Sequence, residues 1–175
     1  MKKFVECESK HTKNKKNEVI LPPRPKNGVL RINVTFVLLD ISSVDIRNMD
    51  FQVMFRLRQM WSIHRNTCET YKNKLKNEKA DKKVNENYDE DIFVSPKLIK
   101  HLWWPDTHFP NAKLIDSPSS VVNFNKMKLK SHYYRGCTVE HNSLSIATMA
   151  CPMNLRHYPM DVQLCHINMR SCKYN

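Results

Sequence analysis

Apolar side chains recur at every second position along two stretches in the first third of this chain. Leu30, Ile32, Val34, Phe36 and Leu38 form one set; Phe51, Val53, Phe55, Leu57, Trp61 and Ile63 form the other. A period of two puts successive side chains on opposite faces of an extended strand, so each stretch predicts a strand with one buried face. Shorter runs predict further strands around 92–94, 121–125, 143–149 and 162–169. Pro22, Pro23 and Pro25, followed by Asn27-Gly28, predict a turn ahead of the first strand. Several strands separated by Pro, Asn and Asp turns point to an all-β fold, an immunoglobulin-like antiparallel β-sandwich. Residues 1–20 show no clear period. They read as a poorly ordered N-terminal segment with room for one short helix, ahead of a single domain over 21–175.

Composition narrows the function classes. With 175 residues and a 41% hydrophobic share, the chain suffices for one sandwich with a real core. Only two glycines occur, Gly28 and Gly136, which excludes a glycine-rich phosphate loop or a dinucleotide fingerprint. Neither a G-x-S-x-G elbow nor an H-E-x-x-H pair is present, so nothing points to an enzyme or a cofactor. The formal charge is +12, with lysines concentrated in 10–16 and 72–83. Glu78, Asp81, Glu86, Asp89, Glu90 and Asp91 interleave with the second run. Residues 72–91 therefore read as a solvated, mobile loop, and nucleic acid is not the partner expected. No apolar stretch approaches the roughly 20 residues that cross a bilayer, and 1–10 holds no apolar core of signal-peptide length.

The segment richest in fixed chemistry is 151–165. Cys151 and Cys165 bracket Met153, Leu155, Tyr158-Pro159 and Asp161. Proline fixes φ and an X-Pro bond can be cis, so Tyr158-Pro159 suits a sharp bend. Asp161 can bond its own backbone just after that bend. These residues admit two readings: a ring closed by a disulfide, stabilised by roughly 3 kcal/mol, or two free thiols flanking a turn. The pattern resembles the signature loop of the Cys-loop (pentameric neurotransmitter-gated) ion-channel family, which has hydrophobic residues at two early positions and then aromatic-Pro-x-Asp before the second cysteine. Every defining position is filled here. The resemblance implies a Cys151–Cys165 disulfide, with Tyr158, Pro159 and Asp161 in a gating loop at the membrane-facing end.

Three more segments extend the resemblance over about 24–175. Arg24-Pro25 with 29–43 looks like the family's first strands, and 48–61 like the next strand, ending on Trp61. Residues 95–113 are similar to its W-x-P-D-x-x-F block, here Trp103, Pro105, Asp106 and Phe109. Singly, each is a core tryptophan or a turn in any sandwich; in this order they support one another. The details look most like the invertebrate glutamate-gated chloride channels. That likeness implies an extracellular domain at the plasma membrane, binding a small agonist such as glutamate between homologous subunits of a pentamer. Four membrane helices would follow outside this sequence, so the chain would be partial. The competing class is a soluble or degenerate β-sandwich binding domain without channel activity.

By the same resemblance, Arg58 occupies the matching position of the complementary-face strand, and Ser171 that of a principal-face serine. A guanidinium is the natural bidentate partner of an agonist carboxylate. Two positions depart from the branch. Leu39 stands where a second arginine is expected, and Cys172 where an aromatic follows the serine. Residues 126–138 look longer and stranger than the family's hairpin there. Cys7, Cys68, Cys137 and Cys172 show no obvious pairing, and no C-x-x-C knuckle supports a metal among His157, Cys165, His166 and Cys172. Asn33-Val34-Thr35 is a glycosylation sequon within a predicted strand.

Overall fold

The computed structural model describes residues 22–23, 29–78, 91–95, 99, 102–116, 126–132 and 136–171. The two alternating stretches become the long strands β1 (Ile32–Asp45) and β2 (Asp50–Ile63). They pair antiparallel from Ile32↔Trp61 to Asp45↔Asp50, with a bulge between Leu38 and Asp40. A tight turn joins them. Asp45 fixes it by accepting from the backbone N–H groups of Arg47 (2.8 Å) and Asn48 (3.0 Å) and from the Asn48 amide. The bonds from Asn48 hold this exposed carboxyl below its usual value.

The remaining elements are α1 (Arg65–Glu78), β3 (Asp91–Val94), β4 (Thr107–His108), β5 (Ala112–Asp116), β6 (Lys126–His132), β7 (Gly136–Ala150) and β8 (Arg170–Ser171). Strand order in the main sheet is β1-β2-β7-β6-β3, with β5 also on β7, and every pairing in it is antiparallel. A two-stranded sheet, β4-β8, and the irregular chain around it form the second layer. The described residues form an all-β sandwich with α1 at its margin. The short helix expected in 1–20, the strand expected at 121–125, Cys7 and Cys172 lie outside the described residues.

Alternation on β2 sends Phe51, Val53, Phe55, Leu57, Trp61 and Ile63 into the interior. Opposite them β7 contributes Cys137, Val139, Ala147 and Met149, and β6 contributes Met127 and Leu129. Two apolar clusters result. One joins Trp61, Ile63 and β6 to α1 and Trp103; the other joins Phe51, Val53 and Phe55 to Phe109 and Cys151. Trp61 meets Trp103 edge to face at 5.6 Å, and Phe55 meets Phe109 at 5.0 Å, geometries that suit the aromatic quadrupole.

Two expectations need correction. Residues 72–91 are not a loop throughout, because α1 runs to Glu78. Cys68, Tyr71 and Leu75 line one face of that helix at 2%, 8% and 3% exposure. Spaced i, i+3, i+7, they cover the end of the sheet, and the polar residues between them, Lys72 and Lys74 included, masked the period. Strands β6 and β7 pair antiparallel in register from Lys126↔Asn142 to His132↔Gly136. The start of β7 is tightly confined: Gly136 has φ +96°, and a Cβ there would collide with the Ile63 carbonyl oxygen. Finally, 162–169 keeps the alternating burial of a strand without forming a ladder; only Arg170–Ser171 pairs. The Asn111 side chain takes the His166 carbonyl (2.6 Å) and the Asn168 N–H (3.1 Å) that a neighbouring strand would have used.

A disulfide joins Cys68 on α1 to Cys137 at the start of β7, with Cα atoms 5.6 Å apart. Lys72 on the same helix donates to Ser131 on β6 at 2.8 Å. The helix is thus held by a covalent tie and a polar one as well as by its apolar face. Replacing Cys68 and Cys137 together by Ala should lower the unfolding free energy by about 4 kcal/mol, given a loop of 69 residues. The denaturant midpoint of protein made in an oxidising compartment measures this. An unchanged midpoint would show that α1 packing needs no bridge.

Between the apolar clusters lies a polar belt. Gln59 on β2 donates to Thr107 on β4 at 2.5 Å, and His141 on β7 stacks on Trp104 at 6.2 Å. Burial pushes the His141 imidazolium down to a pKa of about 4. The unfolded chain binds a proton near pH 6.5, whereas the folded chain does so only near 4. His141 therefore costs no stability above about pH 6.5 and progressively destabilises the fold as pH falls from 6.5 towards 4, by roughly 3 kcal/mol at full extent. His141→Phe, which keeps a ring against Trp104, should flatten this part of the stability profile. Urea titrations at neutral and mildly acidic pH compare the two proteins; equal acid sensitivity would refute the assignment.

Candidate functional site

Outward-facing residues of the main sheet form the first half of the site. On β2 these are Arg56 and Arg58, on β7 Glu140 and Asn142, and on β6 Lys126, Lys128 and Lys130. Arg58 lies directly across from Asn142, and Glu140 across from Lys128. The Arg58 guanidinium donates to Glu140 Oε2 at 3.0 Å, and the Asn142 amide donates to Glu140 Oε1 at 2.8 Å. Arg58 remains 45% exposed, while Glu140 is only 10% exposed. Burial alone would raise the Glu140 pKa. The Asn142 bond and the bond and charge of Arg58 outweigh it, so the carboxyl sits below its usual value and stays ionised.

Leu39, at the place of the second arginine, falls within the bulge of β1 and is 46% exposed. Asn33 is exposed on β1, across from Met60, with Thr35 across from Arg58. The sequon thus shares the outward face with Arg58.

Ser171 is elsewhere. Its strand, β8, pairs with β4 in the second layer, and its hydroxyl donates to Asp106 at 2.8 Å. Because the second layer covers the inward face of β2 through the Gln59–Thr107 bond, Arg58 and Ser171 lie on opposite sides of the sandwich.

The cysteine segment occupies one end. Cys151 and Cys165 are joined by a disulfide with Cα atoms 5.2 Å apart, and Cys151 is buried in the second apolar cluster. Inside the ring, Asn154 caps a 3-10 turn (Leu155–His157), and the Tyr158-Pro159 bond is cis. Gln163 spans the ring, accepting from the Asn154 N–H and donating to the Asn154 carbonyl, both at 2.9 Å. The Asp161 carboxylate also accepts from Gln163, so its partner is this side chain and not the backbone bond expected from the turn. With these polar groups satisfied internally, Tyr158, Met160, Val162 and Leu164 point outward at 62–97% exposure.

An open hollow of about 580 Å³ lies near this end, lined by Ser43, Asp45, Arg47 and Asp50 among others. Its carboxylates are already engaged, Asp45 by the turn and Asp50 by Lys113. The hollow is not adjacent to Arg58, and its chemistry is that of a braced turn.

Sequence reasoning missed Glu140 and Asn142, because it started the last long strand at 143 whereas β7 begins at Gly136. The alternation of Cys137, Val139 and His141 against Thr138, Glu140 and Asn142 was the available signal. It also missed the Cys68–Cys137 bridge, whose partners are far apart in sequence and share no motif.

The geometry so far is a β-sandwich with a disulfide ring at one end and polar groups on two opposite faces. The sequence matches the family described as neurotransmitter-gated ion-channel ligand binding domain over residues 9–175, almost its whole length. This chain belongs to the neurotransmitter-gated ion-channel ligand-binding domain family.

Proposed function

We propose that this chain is the extracellular ligand-binding domain of a chloride-selective channel subunit, and that it binds a small amino-acid agonist between adjacent subunits of a pentamer. The observation that carries this reading is the placement of Arg58 and Ser171 on opposite faces of one sandwich. A site assembled from two neighbouring copies needs one half on each side of every subunit. Arg58 supplies a guanidinium to an agonist carboxylate on the complementary face, and Ser171 with Asp106 supplies polar groups on the principal face. No helix among the described residues is long and apolar enough to cross a membrane. The domain of the present reading is 21–175, with 1–20 as its N-terminal lead.

Leu39 leaves Arg58 as a single arginine, and the loss of one charged partner typically costs about 1.5–3 kcal/mol. The subunit should therefore serve best as the complementary partner of a different subunit. Full-length subunits co-expressed with related ones should give agonist-dependent currents that Arg58→Ala abolishes. Robust glutamate currents from homopentamers, indifferent to Arg58→Ala, would overturn this face assignment.

The ring supplies a second test. Val162 and Leu164 are 97% and 78% exposed, so polar replacements there leave the core intact. If the ring transmits agonist binding to the pore, Val162→Asn with Leu164→Asn should reduce the maximal current while leaving agonist binding unchanged. Surface labelling, radioligand binding and current recordings separate the two effects. Undiminished currents would remove the ring from the gating path.

A further inference from the structure

We infer that Glu140 is an internal competitor for Arg58, a carboxylate of the chain itself that fills the place an agonist carboxylate would take. The inference rests on the reading of Arg58 as the complementary-face guanidinium. Three observations carry it. Both Glu140 oxygens are engaged, one by Arg58 at 3.0 Å and the other by Asn142 at 2.8 Å, so the carboxylate is oriented and not merely nearby. Its side chain is 10% exposed, which limits screening of its charge by water. The surrounding outward face is basic, with Lys128 directly across from Glu140 and Lys126 directly across from Asn142. Lys128 and Lys130 are in turn drawn towards Asp91, at 3.6 and 3.8 Å.

An incoming carboxylate must therefore either displace Glu140 from Arg58 or accept a like charge beside it. Each outcome weakens recognition of an acidic ligand without removing the arginine. Glu140 thus acts as a specificity-determining residue that sets how strongly this face accepts anions. Removing its charge while keeping its shape and its bond to Asn142 should release the guanidinium.

The full chain, made in a secretory host, is titrated with glutamate while the backbone amide resonances of β2 and β7 are followed by NMR. Glu140→Gln should bind glutamate roughly ten- to hundred-fold more tightly than the parent, the range expected for one charged hydrogen bond. Asn142→Ala, which only loosens Glu140, should give a smaller gain, and it stands as the test by itself if Glu140→Gln does not fold. Adding Arg58→Ala to Glu140→Gln should cancel the gain. Equal affinity of parent and both single variants would overturn the proposal, and so would a gain that persists without Arg58. Either result leaves the channel reading standing, since that reading is decided separately by the currents of full-length subunits.

Discussion

The chain from Trp103 to Lys113 is the constraint on which the rest of the sandwich depends. It crosses the inward face of the main sheet and fastens to it at almost every second residue. Trp103 enters the first apolar cluster against Trp61, Trp104 stacks on His141, and Thr107 accepts from Gln59. Phe109 then enters the second cluster, Asn111 fixes the chain at His166 and Asn168, and Lys113 pairs with Asp50. Apolar burial supplies the driving force at both ends. The polar contacts between them fix the register, because an unpaired buried polar group would be costly.

That strap also decides where the functional groups sit. By covering one face of β2 it leaves the other face for Arg58, and by carrying Asp106 it receives Ser171. The two faces then differ in electrostatic character. The outward face is basic with a carboxylate at its centre; the Asp106–Ser171 side is a compact hydrogen-bonded pair. The disulfide ring, closed on the second apolar cluster, satisfies its own polar groups through Gln163 and Asn154, which frees its apolar side chains to project outward.

Much of this was legible in the chain. Period-two alternation located β1 and β2, although only β2 buries its alternating set, while Val34 and Leu38 on β1 stay 39% and 43% exposed. The Trp103–Lys113 block and the Cys151–Cys165 segment were visible as motifs, because fixed turns and bridges demand particular residue types at particular spacings. Arg58 could be assigned to the outward face from alternation alone. What remained hidden was every feature set by a partner distant in sequence. Cys68 and Cys137 are 69 residues apart, and Arg58 and Glu140 are 82 apart.

The sequence by itself therefore determined the two long strands β1 and β2, the all-β class, the ring and the family, for these rest on local periodicity and local spacing. Only the tertiary structure decided that a lysine-rich stretch would be a helix, since three apolar residues stabilise α1 only once the sheet end and Cys137 are there to meet them. Only it decided that 162–169 would stay extended without a ladder, with the Asn111 side chain bonded to the His166 carbonyl and the Asn168 N–H. It alone gave Arg58 an internal carboxylate. Cross-strand register is a long-range quantity, and no local pattern around residue 58 encodes which side chain will lie beside it on β7.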